Sequence, residues 1–317
     1  MTFCVIRSRP ELQRITWLAL LFAWLLSVSG QAAAAQVAVV MSDDSAPYQE
    51  VYQVIRTYLE EANHEASRIA VENVNTAALN EARLTVAVGV RAAEAIAALP
   101  NRSPVLAVLV PRAWYVKTGR IRLSDGGRRT VSAIFLDQPF ERQAKLIRQV
   151  YPDARRVGVL LSTEQSGLLE EINEAMRSQR LSLVSALLAE DEQLIRPLEA
   201  VLSEADLLLA VPDPGVLNRN TAQSLLLTSY RYRDPVIGYS RSLTRAGALV
   251  SLFSTPAQIG RQAAEWVSGA LSGASVRLPL PAHPSYFEIS INEQVARSLG
   301  FSLPSEDELE KRLGGLH

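Results

Sequence analysis

The sequence predicts an α/β protein of two lobes, each a mainly parallel sheet covered on both faces by helices. Three observations carry this. Short, almost wholly apolar runs such as VAVVM at 37–41, LTVAV at 84–88, VLAVLV at 105–110 and RVGVLL at 156–161 have the length and continuity of strands buried on both faces. Polar loops and segments with helical apolar spacing follow these runs, the pattern of repeated strand–loop–helix units. A chain of 317 residues with 48% apolar and 21% charged residues has the size and composition for two such lobes.

The first 35 residues are a separate matter. Arg7, Arg9 and Arg14 precede the apolar run 15–28, and SGQAAAA at 29–35 supplies small residues suited to a peptidase. This is the layout of a secretory signal cleaved after Ala35; an uncleaved membrane anchor is the alternative. Either reading excludes the cytoplasm and predicts a periplasmic protein. Those residues carry three Arg and one Glu, so their loss moves the formal net charge from −1 to −3. No basic footprint for nucleic acid remains. The single cysteine, Cys4, lies in this segment, which leaves the rest without a disulfide, a thiol nucleophile or a cysteine metal site.

In order, the strand 37–41 ends in the acidic, hydroxyl-rich loop 42–47, and Tyr48, Val51, Tyr52, Ile55 and Leu59 then form one helical stripe. Strands follow at 67–71, at 84–88 with Gly89 directly after it, and at 105–110, ended by Pro111. The alanine-rich stretch 90–99 has high helix propensity. Residues 113–130, with their Asp125-Gly126-Gly127 turn, interrupt the rhythm and predict a small hairpin or a mobile surface excursion. A strand at 130–136 leads through Asp137 to a helix at 140–150.

A second series begins at 156–161, followed by the polar loop 162–167 and a helix at 168–179. Strands are predicted at 181–186, 207–211, 235–239 and 248–253, with a helix at 195–202 between the first two. Ile259, Ala263, Val267 and Leu271 share one face of a helix over 258–272. Pro279, Pro281 and Pro284 mark a crossing segment. The period-two run YFEISI at 286–291 reads as a half-buried edge strand, Gly300 ends a short helix, and the tail 305–317 is charged with a weak helix.

Parallel sheets bind ligands beyond the carboxyl ends of their strands. Gly89, Ser162, Thr163, Ser166, Ser240 and Ser254 stand there, able to offer backbone N–H groups or hydroxyls, or to act as plain helix caps. Asp43, Asp44, Asp137 and Asp213 are acids at strand ends, suited to pairing with a ligand ammonium or to capping and interlobe bonding. A divalent-cation site would require these oxygens to converge. Tyr48, Trp114, Tyr239 and Phe253 are the aromatic wall candidates. The three histidines are scattered, and no HExxH, GxSxG or glycine-rich phosphate loop accompanies them, so neither an enzyme nor a cofactor is expected.

Three segments carry a family resemblance: LDQPFERQAKLIRQVYPDARRVGVLLS at 136–162, GALVSLFSTPAQIGRQAAE at 247–265 and ISINEQVARSLGFSLP at 289–304. The chain resembles periplasmic substrate-binding proteins of ABC-type importers, within them the branch related to receptors for tryptophan and other aromatic amino acids. The resemblance implies a type I periplasmic-binding-protein architecture of two Rossmann-like lobes with several crossovers. It assigns residues 36–135 with about 254–282 to the first lobe and 136–253 with about 283–304 to the second. It also implies a small polar or amino-acid-like ligand between the lobes, and ligand contacts at Ser42, Asp43, Ser45, Tyr48, Gly89, Val90, Asp137, Ser162, Thr163, Ser166, Asp213, Tyr239 and Ser240. The implied partner is a membrane permease; a membrane sensor is the alternative. The chain departs from the branch at Val90, where a threonine is usual, and at Pro214, where an asparagine is usual.

Overall fold

The computed structural model describes residues 36–190, 192–273 and 275–315. The expected signal and its cleavage point lie outside them. Among the described residues no helix is long and apolar enough to cross a membrane.

The strands segregate into two sheets. The first has the order β2-β1-β3-β4-β5, where β1 is Gln36–Met41, β2 Glu65–Ala70, β3 Leu84–Val88, β4 Val105–Val110 and β5 Val131–Phe135, all parallel. In the second, β6 (Arg156–Ser162), β7 (Ser182–Leu188), β8 (Leu207–Leu209), β9 (Val236–Gly238), β10 (Val250–Phe253) and β11 (Glu288–Ile291) are ordered β11-β10-β9-β8-β6-β7. Only β11 runs antiparallel, to β10. The two sheets are two α/β lobes of type I periplasmic-binding-protein architecture. Their apolar runs behave as doubly covered strands should: every residue of β3 and β4 is buried, whereas the edge strands β2 and β7 are almost wholly half-buried or exposed.

Each sheet winds outward in both directions from its first strand, so each has one topological switch point, between β1 and β3 and between β6 and β8.

Three crossovers join the lobes. Residues 136–139 lead from β5 into the Phe140–Val150 helix, and 254–255 lead from β10 into the Pro256–Leu271 helix. That helix packs on Ala46–Glu61 of the first lobe, where a Cβ at Gly260 would lie 3.1 Å from the Val51 carbonyl oxygen. The third crossover returns to β11 and pairs with β5 on the way: the Phe135 N–H donates to the Ala282 carbonyl and the Ala282 N–H to that of Ala133, both at 3.0 Å. The Glu306–Arg312 helix then packs on β11, and Glu310 Oε1 accepts the Ile289 N–H at 2.8 Å.

Residues 113–130 correct the expectation of a hairpin or surface excursion. Residues 112–124 are helical, with a π turn at Tyr115–Gly119. The cause is a stripe at spacing four: Tyr115, Gly119 and Leu123 are all buried against the first lobe. Gly119 is required because the Trp114 ring lies 2.5 Å from where a Cβ would stand. Asp125, Gly126 and Gly127 adopt left-handed φ of 46°, 64° and 86°, which ends the helix instead of turning a hairpin. Beyond it, the buried Arg129 guanidinium donates to the carbonyls of Ile96, Leu99 and Asn101, satisfying groups at and beyond the end of the Val90–Ala97 helix.

Candidate functional site

The ends of the strands decide what each lobe offers. At the first switch point, Ser42 Oγ donates to the Val88 carbonyl at 2.8 Å and accepts the Ala92 N–H at 2.9 Å. Gly89 has φ 89° and ψ 166°, and a Cβ there would lie 2.6 Å from Ser42 Oγ and 2.9 Å from Tyr48 Oη. Burial, followed by the charge of Asp43, pushes the Tyr48 phenol pKa up. Asp43 is exposed; its Oδ1 accepts the Ser45 N–H at 2.7 Å, and hydrogen bonding to Ser45 holds its carboxyl below the usual range. Val90 opens the following helix and is half-buried.

The second switch point is built the same way. Asp213, only 2% exposed, accepts the Ser162 N–H at 2.6 Å through Oδ2 and the Gly215 N–H at 3.0 Å through Oδ1. Both oxygens are engaged by backbone. Thr163 is exposed and Ser166 half-buried in the short 3-10 segment that follows β6.

The interlobe cavity lies beside these points, toward the crossovers. Its volume is about 310 Å³, and both lobes line it. The first lobe and the crossover contribute Arg112, Ala113, Leu136 and Asp137. The second contributes Phe140, Gln143 and Leu168, with Glu171, Tyr239 and Phe253 among others. Of the residues singled out from sequence, Asp137, Tyr239, Ser240, Phe253 and Ser254 line this cavity, while Ser42, Asp43, Ser45, Tyr48, Gly89, Val90, Ser162, Thr163, Ser166 and Asp213 stand outside its lining. Ser240 also caps the Arg241–Ala246 helix, accepting the Leu243 N–H at 3.2 Å. Burial, then the charge of Asp213, raises the Tyr239 phenol pKa.

Asp137 sits at the junction. Its Oδ2 accepts the Arg112 N–H at 2.6 Å, and its own carbonyl lies 2.8 Å from Nδ1 of His283. Burial pushes the carboxyl pKa up, against the lowering effects of the Arg112 N–H and the His283 charge. The His283 ring stands edge-on to Phe135, with centroids 5.2 Å apart. Gln138 Nε2 donates to Ser254 Oγ at 2.7 Å, and that hydroxyl donates to the Tyr286 carbonyl at 2.5 Å.

Arg112, Gln143, Glu171 and His283 are cavity residues that sequence reasoning passed over. Arg112 and Glu171 form an ion pair across the lobes. Their separation of 59 residues leaves no local pattern to find them by. Gln143 did leave a signal. It is a carboxamide on the buried stripe Phe140, Gln143, Ala144, Ile147, only 3% exposed, and its Oε1 has no hydrogen-bond partner. Buried carboxamide oxygens are ordinarily paired, so this one is placed to accept from a donor in the cavity it lines.

Among the described residues no group of three His, Cys, Asp or Glu is placed to hold a metal ion. The profile of the family described as ABC transporter substrate binding protein matches residues 48–311. The chain belongs to that family. This substrate-binding protein is the non-catalytic, periplasmic solute-binding component of an ABC-type importer, and it binds its ligand between the two lobes.

Solved structures share the fold. A substrate-binding protein with adhesive properties from Clostridium difficile, in its ligand-free, open structure, is 16% identical, with a TM-score of 0.70 over 86% of this chain and 97% of that one. A conserved domain protein from Vibrio cholerae is 19% identical, with a TM-score of 0.58 over 88% and 98%. An ABC domain from Streptococcus pneumonia in complex with L-Trp is 14% identical, with a TM-score of 0.58 over 90% and 100%. No curated protein matches the chain by sequence.

Proposed function

We propose that the substrate-binding protein captures a small ligand with an aromatic or apolar body and a carboxylate-bearing polar end, as the aromatic-amino-acid branch does. The observation that carries this is the composition of the junction cavity. Phe140, Leu168, Tyr239 and Phe253 supply an apolar wall, while Arg112, Gln143, Glu171 and Ser240 place a few polar groups around it. A volume of about 310 Å³ is at the small end of ligand sites, which span roughly 300–1,000 Å³, and suits one ring system with a short polar arm. Asp137, Tyr239 and Ser240 are the contacts we carry forward from the sequence reading. The residues at the switch points join them if the lobes close further over the ligand. On this reading residues 1–35 direct export, cleavage follows Ala35, and a membrane permease of the importer is the partner.

The test uses protein purified without refolding and freed of bound metabolites by dialysis. L-tryptophan, L-tyrosine and L-phenylalanine are titrated by calorimetry and thermal shift, with ribose and D-allose as contrasting probes. At a hundredfold excess over Kd a ligand stabilises by about 2.7 kcal/mol, a readily measured Tm increase. Shifts with the sugars and none with the aromatic amino acids would overturn the assignment of ligand class.

A further inference from the structure

We propose that Glu171 is an internal stand-in for a ligand carboxylate, occupying the Arg112 guanidinium until a ligand displaces it. The proposal rests on the reading of the cavity as a site for a carboxylate-bearing ligand, and adds to it how that end is selected.

Arg112 follows β4 and Pro111 in the first lobe. Its backbone N–H is fixed at the junction by Asp137 Oδ2, at 2.6 Å, and its side chain reaches across to Glu171 on the Leu169–Ser178 helix of the second lobe. Both side chains line the cavity, and they remain 35% and 28% exposed, so the pair lies where an entering ligand meets it. Three other titratable side chains line the same cavity, Asp137, Tyr239 and His283, and Tyr239 is a neutral phenol whose pKa is raised by burial and then by the charge of Asp213. The Asp137 carboxylate takes the Arg112 N–H, and His283 Nδ1 is paired with the Asp137 carbonyl. Glu171 is therefore the carboxylate on the guanidinium among the described residues.

A guanidinium presents a planar fork to a carboxylate, so a ligand carboxylate replaces that of glutamate with little change in chemistry. Glu171 is also easy to release. It stands in the first turn of its helix, which continues from the 3-10 segment Thr163–Leu168, and the one side-chain hydrogen bond described for it is to Arg112. The exchange gives the ligand an advantage that a neutral analogue lacks.

The direction of the effect separates this from two plainer roles. If Glu171 contacted a ligand ammonium, removing its charge would weaken binding. If the pair were a latch between lobes, carboxylate and neutral ligands would respond alike. Under the stand-in role, Glu171→Gln removes a competitor and tightens carboxylate ligands alone.

The experiment measures Kd by calorimetry for L-tryptophan, indole-3-propionate and L-tryptophanamide against wild type, Glu171→Gln, Glu171→Ala and Arg112→Gln, each first shown to be folded by circular dichroism. Both Glu171 variants are expected to bind the two carboxylates about fivefold more tightly, the order of one partly exposed ion pair, and to leave the amide unimproved. Arg112→Gln is expected to erase the preference for L-tryptophan over its amide. Unchanged or weakened carboxylate binding in the Glu171 variants overturns the proposal, as does an equal gain for the amide. If the amide binds wild type as tightly as L-tryptophan, the aromatic cavity stands and the stand-in role falls. If no probe binds wild type or variants, both fall.

Discussion

Replacing Asp213 by asparagine asks whether this carboxylate holds the second lobe together or holds a ligand. The side chain is 2% exposed, and its two oxygens accept the Ser162 and Gly215 N–H groups at 2.6 and 3.0 Å, joining the end of β6 to the loop after β8. Hydrogen bonds to a charged group are worth about 1.5–3 kcal/mol each. Asparagine keeps one acceptor but turns an NH₂ toward the other backbone N–H, leaving a buried donor unpaired. The expected loss is about 3 kcal/mol, or roughly 6–12 °C in Tm at 2–4 °C per kcal/mol. Differential scanning calorimetry of the ligand-free protein reads this directly, and titration of a ligand on the same sample reads the affinity. The geometry predicts a large loss of stability without any ligand present. An Asp213→Asn protein that melts within 1 °C of wild type but loses affinity for an amine-bearing ligand would refute the reasoning.

Three further outcomes follow from particular contacts. Gly89→Ala places a Cβ 2.6 Å from Ser42 Oγ at a backbone angle of φ 89° that L residues avoid, so unfolding in urea should show a loss of about 2–3 kcal/mol. Arg129→Met leaves the Leu99 and Asn101 carbonyls without the donors they have at 3.1 and 3.2 Å, and should cost about 3 kcal/mol or more; a variant as stable as wild type would show that water replaces the guanidinium freely. Burial, then the charge of Asp206, raises the Asp234 carboxyl pKa to about 7 against the pull of Arg156. The folded protein therefore holds a proton there that the unfolded chain releases near pH 4, and this contribution to stability is lost as pH rises toward and through 7. Tm measured from pH 5 to pH 8 should fall more steeply in wild type than in Asp234→Asn, and equal slopes would exclude Asp234 as the cause.

The architecture was legible because each central strand is a continuous apolar run bracketed by loop residues. VLAVLV at 105–110 is buried at every position, as that pattern requires. Even the end of a helix at Gly300 was readable, since its φ of 82° suits glycine. Residues 112–124 were misread because the apolar stripe Tyr115, Gly119, Leu123 includes a glycine, while Arg112, Lys117, Arg120 and Arg122 swamp its periodicity. The junction cavity was less legible for a different reason. Arg112 and Glu171 meet across two lobes, and a long-range ion pair imposes no spacing on the sequence that encodes it. Gln143 is the exception, because a carboxamide inside an apolar helical stripe is a local anomaly visible without a structure.

The repeated topology also bears on where a ligand's polar end is met. Each sheet opens one crevice, between β1 and β3 or between β6 and β8, the usual place for a ligand in such folds. In this chain the first crevice is bridged by Ser42, tied to the Val88 carbonyl and the Ala92 N–H, and the second by Asp213, tied to the Ser162 and Gly215 N–H groups. Those side chains are already oriented by their own backbone, so a ligand there meets only the lone pairs they have left. At the junction the balance is the reverse. Gln143 Oε1 is unpaired, and Arg112 is held by a partner that is partly exposed and anchored at a helix start. The exchangeable ion pair and the buried unpaired carboxamide oxygen thus stand beside the crossovers, while the switch-point side chains are tied to backbone. Besides the Asp137 carboxylate, the crossovers are held by contacts that need no acid: Arg142 donates to the Pro284 carbonyl at 3.0 Å, lies 4.3 Å from the Phe287 ring centroid and pairs with the Gln138 carboxamide. Burial lowers the pKa of that guanidinium, yet no carboxylate is needed to hold it, so these three contacts survive changes in pH that would protonate an acid partner.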